Sequence, residues 1–235
     1  MIAPQAPDIK ISANKSELAV MVSDLVISRI RHGLDGTGTF HLALTGGSIG
    51  VLISELLVSH WNEEPEGFVG LHLWWGDERF VPELSEERNA RPVLMAMSEV
   101  SPIHIHQVLS QDSNVEVEVA AKRYSADLLG IDVDLILLGL GEDGHVASLF
   151  PEQWDESEER SAIAVLDSPK PPRQRVSFSM SKINASESVW FVVSGGEKHE
   201  SIEKILARDA SIPATHVHGK VETVLFADLA ALASD

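Results

Sequence analysis

The chain has 235 residues, no cysteine, 44% hydrophobic residues and a formal net charge of −18. That apolar fraction supports a packed core, and the missing thiols exclude disulfides, thiolate metal sites, iron–sulfur clusters and cysteine nucleophiles. The acidic balance argues against general nucleic-acid binding, which needs a basic face. No apolar run is long enough to span a bilayer, and Met1 to Ser12 carries no apolar signal core. The expectation is a soluble cytoplasmic protein, one α/β domain over residues 1–235, without nucleic-acid or membrane partners. If its ligand is an anion, the few cations must gather locally against the overall field.

In chain order, Leu18, Met21, Val22, Leu25, Val26 and Ile30 recur at helical spacing. Asn14 followed by Glu17 resembles a capping box at the start, and Gly33 with Gly36 is expected to end the helix. Residues 39–44 read as a strand, 49–60 as a helix, 69–75 as a strand, and 88–97 and 115–129 as helices. The apolar run 134–138 reads as a central buried strand, and 175–179 and 188–194 as further strands. A helix over 197–208, a strand over 221–226 and a short helix over 228–233 complete the pattern. Strands alternating with helices predict βαβ units in a mostly parallel Rossmann-like sheet, a three-layer α/β/α sandwich. The proline-rich stretch Pro169 to Arg173 reads as a loop between sheet regions.

Three strand ends carry chemistry, and in open parallel sheets ligands sit beyond the carboxyl ends of strands. After 134–138 the turn presents Asp143 and His145, and an imidazole takes and returns a proton near neutral pH. Gly139, Gly141 and Gly144 formally match the dinucleotide fingerprint. Pro151 and the polar stretch Glu152 to Arg160 deny it the long helix it requires, although Asp167 does follow the apolar run Ala162 to Leu166. After 39–44, Gly46 and Gly47 lead into a helix start, the recipe for holding a phosphate, with Ser48 as a hydroxyl donor; an ordinary tight turn capped by serine reads the same pattern. After 69–75 stand Asp77, Glu78 and Arg79. Arg79 suits an oxyanion clamp, and Glu78 suits a salt bridge to Arg88 or Arg91 that staples the loop. Lys198 near a helix start is unfavourable with the macrodipole unless an anion offsets it. Arg175 would reach the same phosphate, or else lie on the surface. The pairs His104/His106 and His216/His218 lack a third ligand at a telling spacing, so no metal is expected. Trp74 and Trp75 read as core and site wall.

Thr45 to Ser48, Trp75 to Arg79, Gly139 to Pro151, Arg175 to Met180, Val189 to Lys198 and Ile212 to Thr215 fall in an order that resembles the 6-phosphogluconolactonase family, within the wider glucosamine-6-phosphate isomerase/lactonase superfamily. The long Gly139 to Pro151 motif is the most specific of these; the Lys220 region and Ile49-Gly50 are less typical. The resemblance implies hydrolysis of 6-phospho-D-glucono-1,5-lactone in the oxidative pentose phosphate pathway, without a cofactor, by a monomer or small homo-oligomer. It implies that Gly46, Gly47, Ser48, Arg175 and Lys198 anchor the substrate phosphate. His145 would then be the base, Arg79 or backbone amides would hold the oxyanion, and either Asp77 or Asp143 would orient His145 or Arg79. Sugar isomerases of the superfamily resemble this chain but carry a further glutamate where it has Ser148-Leu-Phe-Pro151. A sugar-phosphate-sensing domain would need a DNA-binding segment, and none is evident.

Overall fold

Leu135, Ile136, Leu137 and Leu138 are all buried, alternately facing two separate apolar clusters, so their strand is covered on both faces. The computed structural model describes residues 7–233, so part of the Met1 to Ser12 reading lies outside the described residues. Strands β1 (Asp8–Ser12), β2 (Phe40–Leu44), β3 (Leu71–Trp75), β4 (Asp77–Arg79), β5 (His104–Ile105), β6 (Leu135–Leu138), β7 (Ala162–Val165), β8 (Arg175–Phe178), β9 (Ser188–Val193) and β10 (Glu222–Asp228) divide between two sheets. The larger has the order β1-β10-β9-β6-β2-β3-β5 with every adjacent pair parallel. The smaller, β4-β8-β7, is antiparallel.

Helices α1 (Lys15–Thr37), α2 (Gly47–Glu63) and α3 (Arg91–Ala96) cover one face, where Leu18, Val22, Ile53, Leu57 and Val93 meet Leu42, Leu73 and Leu135. On the other face α4 (Val117–Asp127), α5 (Met180–Asn184), α6 (His199–Ala207) and α7 (Leu229–Leu232) bring Tyr124, Ile183, Ile202 and Ala231 to Ala43, Ile136 and Phe191. The result is the expected α/β/α sandwich. The chain steps from β2 to β3 to β5 in one direction and from β6 to β9 to β10 in the other. The reversal leaves a crevice outside the carboxyl ends of β2 and β6. There the Gly139 N–H donates to Thr45 Oγ1 at 3.1 Å.

Several elements differ from the sequence expectation. Helix α1 passes through Gly33 and Gly36 and ends on Gly38, whose φ of 76° places it in the left-handed region that favours glycine. Gly33 is there because the Phe40 ring lies where a side chain would sit. At the start, Asn14 Oδ1 accepts from the Glu17 N–H at 3.0 Å while its amide donates to the Glu17 carboxylate at 2.9 Å. The segment 175–179, expected as a strand, is β8 of the small sheet. Asp167 follows β7 there, far from any dinucleotide arrangement. Strands β1, β4 and β5 and helix α5 are additional: β1 is an edge strand with four of its five residues exposed, and β5 has only two residues. Gly76 is the crossing between the sheets. Its N–H donates to the Leu44 carbonyl at 3.0 Å and its carbonyl accepts from the Phe178 N–H at 2.7 Å.

The histidines at 104 and 106 join two others. His41, His72 and His104 are successive cross-strand partners on β2, β3 and β5, with ring centroids 4.5 and 4.4 Å apart. His106 lies 2.9 Å from His72 by ring nitrogens and stacks on Trp74 at 3.8 Å, while Trp74 Nε1 donates to His41 Nδ1 at 3.0 Å. Trp74 and Trp75 are thus core residues, and neither forms a site wall. Among the described residues no group of three or more His, Asp or Glu is placed to hold a metal, and no helix is long and apolar enough to cross a membrane. Burial, then the neighbouring imidazoles and Lys182, push His41 down from 6.5 to about 4, with Asp132 opposing. His72 is lowered by burial and then His104; His106 is lowered by burial, then His72 and His104, against Asp127.

The unfolded chain binds these protons before the folded one does, so the stability contributed is full above 6.5 and is lost as pH falls toward about 4. Denaturant midpoints recorded across that window should fall with acidification and fall less steeply in His41→Gln. Equal slopes in the two proteins would remove His41 from that role.

Candidate active site

A cavity of about 300 Å³ opens at the switch point between β2 and β6. From β2 come Thr45, Gly46 and Gly47. Gly46 is extended and has no side-chain cap below it, so the first amides of α2 are left for a ligand. A side chain on Gly46 would strike Asn89, and Gly47 has φ of 76°. Ser48 is exposed and stands off the cavity wall, so it is not brought together with the other residues expected at the phosphate.

The turn after β6 is built around His145. The Gly141 N–H donates to the His145 carbonyl at 2.9 Å, and Gly144, at φ of 80°, donates to the Gly141 carbonyl at 3.0 Å. Asp143 Oδ1 contacts His145 Nδ1 and accepts from the His145 backbone N–H at 3.4 Å. A side chain on Gly141 would collide with this pair, and one on Gly144 would collide with Ile212. From behind, the Ala214 N–H holds the Gly144 carbonyl at 3.1 Å and Ser201 Oγ holds the Glu142 carbonyl at 2.8 Å. Burial would raise the Asp143 carboxyl. The hydrogen bond and charge of His145, followed by Lys170, hold it well below the usual carboxylate range. When the neutral ring donates its Nδ1–H to that carboxylate, Nε2 keeps its lone pair, and the ring, 16% exposed, lines the cavity.

Of the two carboxylates that sequence left open, Asp143 is the partner of His145. Asp77 Oδ2 instead accepts from Ser148 Oγ at 2.7 Å and lies 3.8 Å from Arg175 Nη1, while Oδ1 accepts from Asn89 at 3.2 Å. Glu78 turns inward. Its carboxylate accepts from the backbone N–H groups of Arg79, Asn89 and Ala90 at 2.8, 2.7 and 3.0 Å and pairs with Arg88 Nε at 3.5 Å. These bonds hold residues 88–90 outside the helix expected at 88–97, which begins only at Arg91. Burial pushes the Glu78 carboxyl up, against Arg88 and the three amides.

Arg79 Nη1 donates to the Glu87 carbonyl at 2.7 Å, and its Nε is buried without a hydrogen-bond partner. Arg175 is no surface residue. It is 5% exposed, with Nε and Nη2 donating to the carbonyls of Pro172, Lys170 and Pro171 at 3.1, 2.9 and 3.2 Å. Only Nη1, 3.4 Å from Ser148 Oγ, remains loosely engaged. Arg79 and Arg175 are direct cross-strand partners on β4 and β8, a like-charge arrangement that Asp77 beside Arg175 partly offsets. Lys198 follows β9 and lies 3.8 and 3.7 Å from Glu142 and Glu197. Lys170, from the proline-rich loop, completes the set. Four of the chain's 18 lysines and arginines thus line one cavity with a single carboxylate, that of Asp77, on its wall. Asn89 and Lys170 were not anticipated; the first has no sequence signal, and the second sat in a stretch whose prolines read only as a loop.

The fold and this wall define an α/β/α protein with a cation-lined cavity and a histidine–aspartate pair at the sheet's switch point. The profile of the family described as glucosamine-6-phosphate isomerases/6-phosphogluconolactonase matches residues 13–226, and the chain belongs to that family. It is 32% identical to a 6-phosphogluconolactonase of Streptomyces coelicolor over 96% of this chain and 93% of that protein. It is 35% identical to one of Rattus norvegicus over 92% and 89%. The crystal structure of 6-phosphogluconolactonase from Thermotoga maritima is similar at a TM-score of 0.80 and 26% identity, over 94% of this chain and 99% of that one. A monomeric glucosamine-6-phosphate deaminase shares the fold at a TM-score of 0.79 and 17% identity, over 96% and 100%.

Removing Glu78 would strand Arg88 and three amides in the interior. Glu78→Ala should destabilise the protein by roughly 3 kcal/mol, read as a fall in the urea midpoint; an unchanged midpoint would show that the pair does not hold this loop.

Proposed function

We propose that the protein hydrolyses 6-phospho-D-glucono-1,5-lactone to 6-phosphogluconate, the lactone-opening step of the oxidative pentose phosphate pathway. The observation that carries this reading is His145, backed by Asp143, on the wall of a cavity lined by four cations. The phosphate binds at the Gly46 and Gly47 amides and Lys198, with Arg175 Nη1 beside them. This remote anchoring sets the ester carbonyl against His145. Neutral His145 takes a proton from water through Nε2 as the water oxygen bonds to the carbonyl carbon. The imidazolium, stabilised by Asp143, returns the proton to the ring oxygen as the C–O bond breaks. Arg79, fixed by the Glu87 carbonyl, faces the developing oxyanion. Asp77 holds Ser148, Asn89 and Arg175 in register rather than the base.

Ser148 is not a nucleophile in this scheme: it is 2% exposed and its hydroxyl is given to Asp77. An isomerase reading lacks its glutamate, since the stretch Ser148-Leu-Phe150 offers no carboxylate. The deaminase that shares the fold shows that architecture alone does not choose between the two chemistries.

With spontaneous hydrolysis subtracted, His145→Ala should lower kcat by about 10² to 10⁴ with little change in KM, and near-normal turnover would remove His145 from the base role. Lys198→Ala should chiefly raise KM and weaken inorganic phosphate as an inhibitor, and no change in either would retire it as a phosphate anchor.

A further inference from the structure

We propose that Lys170 contacts the substrate at its ester end, binding the oxyanion as it forms and then the product carboxylate, from a backbone whose carbonyls Arg175 holds. This rests on the lactonase reading above. Lys170 sits in the loop joining β7 to β8, and the backbone around it is unusually restrained. Arg175 holds the carbonyls of Lys170, Pro171 and Pro172. Ser168, itself buried, donates to the Lys170 carbonyl at 2.8 Å and accepts from the Lys170 N–H at 3.2 Å. The Ser168 N–H in turn ties back to the Arg173 carbonyl at 2.9 Å.

The side chain on this fixed backbone is free. It is 45% exposed, it lines the cavity, and among the described residues its ammonium group makes no hydrogen bond. Its nearest charge is Asp143 Oδ1 at 3.8 Å, the same oxygen that contacts His145 Nδ1. The ammonium therefore stands across one carboxylate oxygen from the base. An ion pair so long and so exposed contributes little by itself, which leaves the restrained loop without a purely structural purpose. The reaction supplies one. Hydrolysis turns a neutral ester beside His145 into a carboxylate, and a cation with three uncommitted donors lines the same cavity.

The test compares wild type, Lys170→Met, Lys170→Arg and Lys198→Ala for lactone kcat and KM, and for binding of 6-phosphogluconate and of inorganic phosphate by calorimetry. Lys170→Met should bind 6-phosphogluconate about tenfold more weakly, the scale of one charged hydrogen bond, and lose a similar factor in kcat/KM. Its affinity for inorganic phosphate should stay unchanged, and Lys170→Arg should recover most of the product affinity. Lys198→Ala should weaken both ligands. Wild-type product affinity in Lys170→Met would overturn the assignment, as would an equal loss toward both ligands, which would place the lysine at the phosphate end. A wild-type protein that neither hydrolyses the lactone nor binds 6-phosphogluconate would overturn the lactonase reading, and the role of Lys170 with it.

Discussion

A parallel sheet that grows outward in both directions from its middle cannot cover the carboxyl ends of its two central strands, because their connections leave to opposite sides. Here that constraint falls between β2 and β6, and the Thr45 hydroxyl on the Gly139 amide ties the two strand ends together. The glycine turn into α2, the histidine turn after β6 and the Lys198 turn after β9 all start from that end of the sheet. The small antiparallel sheet then delivers what a parallel sheet does not: two arginines from strands running in opposite directions, Arg79 and Arg175, held side by side. The main sheet positions the His145–Asp143 pair; the small sheet positions charge.

The electrostatics work against the bulk of the molecule. A chain with 36 acidic and 18 basic residues places four of the latter around one cavity. The acidic surface favours solubility, and inside the cavity, where water is scarcer, the local cations dominate at short range. Asp77 is retained among them because its oxygens are fully used by Ser148, Asn89 and Arg175. Asp143 is retained because His145 and Lys170 favour its charged form.

Much of this is legible in the sequence, and the reason the rest is not is physical. The β6 strand and its turn are legible because three leucines and an isoleucine in unbroken sequence, followed by glycines, have few other readings. The helices whose apolar stripe faces a covered sheet, α1 above all, were read in place. Boundaries differ where a tertiary contact outweighs a local signal: Gly33 reads as a stop in the sequence, yet it lies in a helix because Phe40 needs the room. The partnership of β4 with β8 joins residues far apart in sequence, so a charged triplet gave no hint of being a strand. The four-histidine ladder was likewise invisible, since three of its members are brought together only by cross-strand register. Ser48 illustrates the opposite error. A hydroxyl at a helix start fits an anion on paper, yet the rotation of the first turn of α2 leaves it exposed and off the wall.

The arginine pair on β4 and β8 has a thermodynamic consequence for the folded state as a whole. Two guanidinium groups brought together by the sheet repel one another, Asp77 beside Arg175 offsets part of this, and folding must do the remaining work before any ligand arrives. An anion in the cavity returns part of it, so the ligand-bound protein resists unfolding better than the empty one, by an amount set by ligand concentration over its dissociation constant. The persistence of this chain is thereby coupled to the supply of its own substrate and product, with the small sheet as the element through which the two are linked.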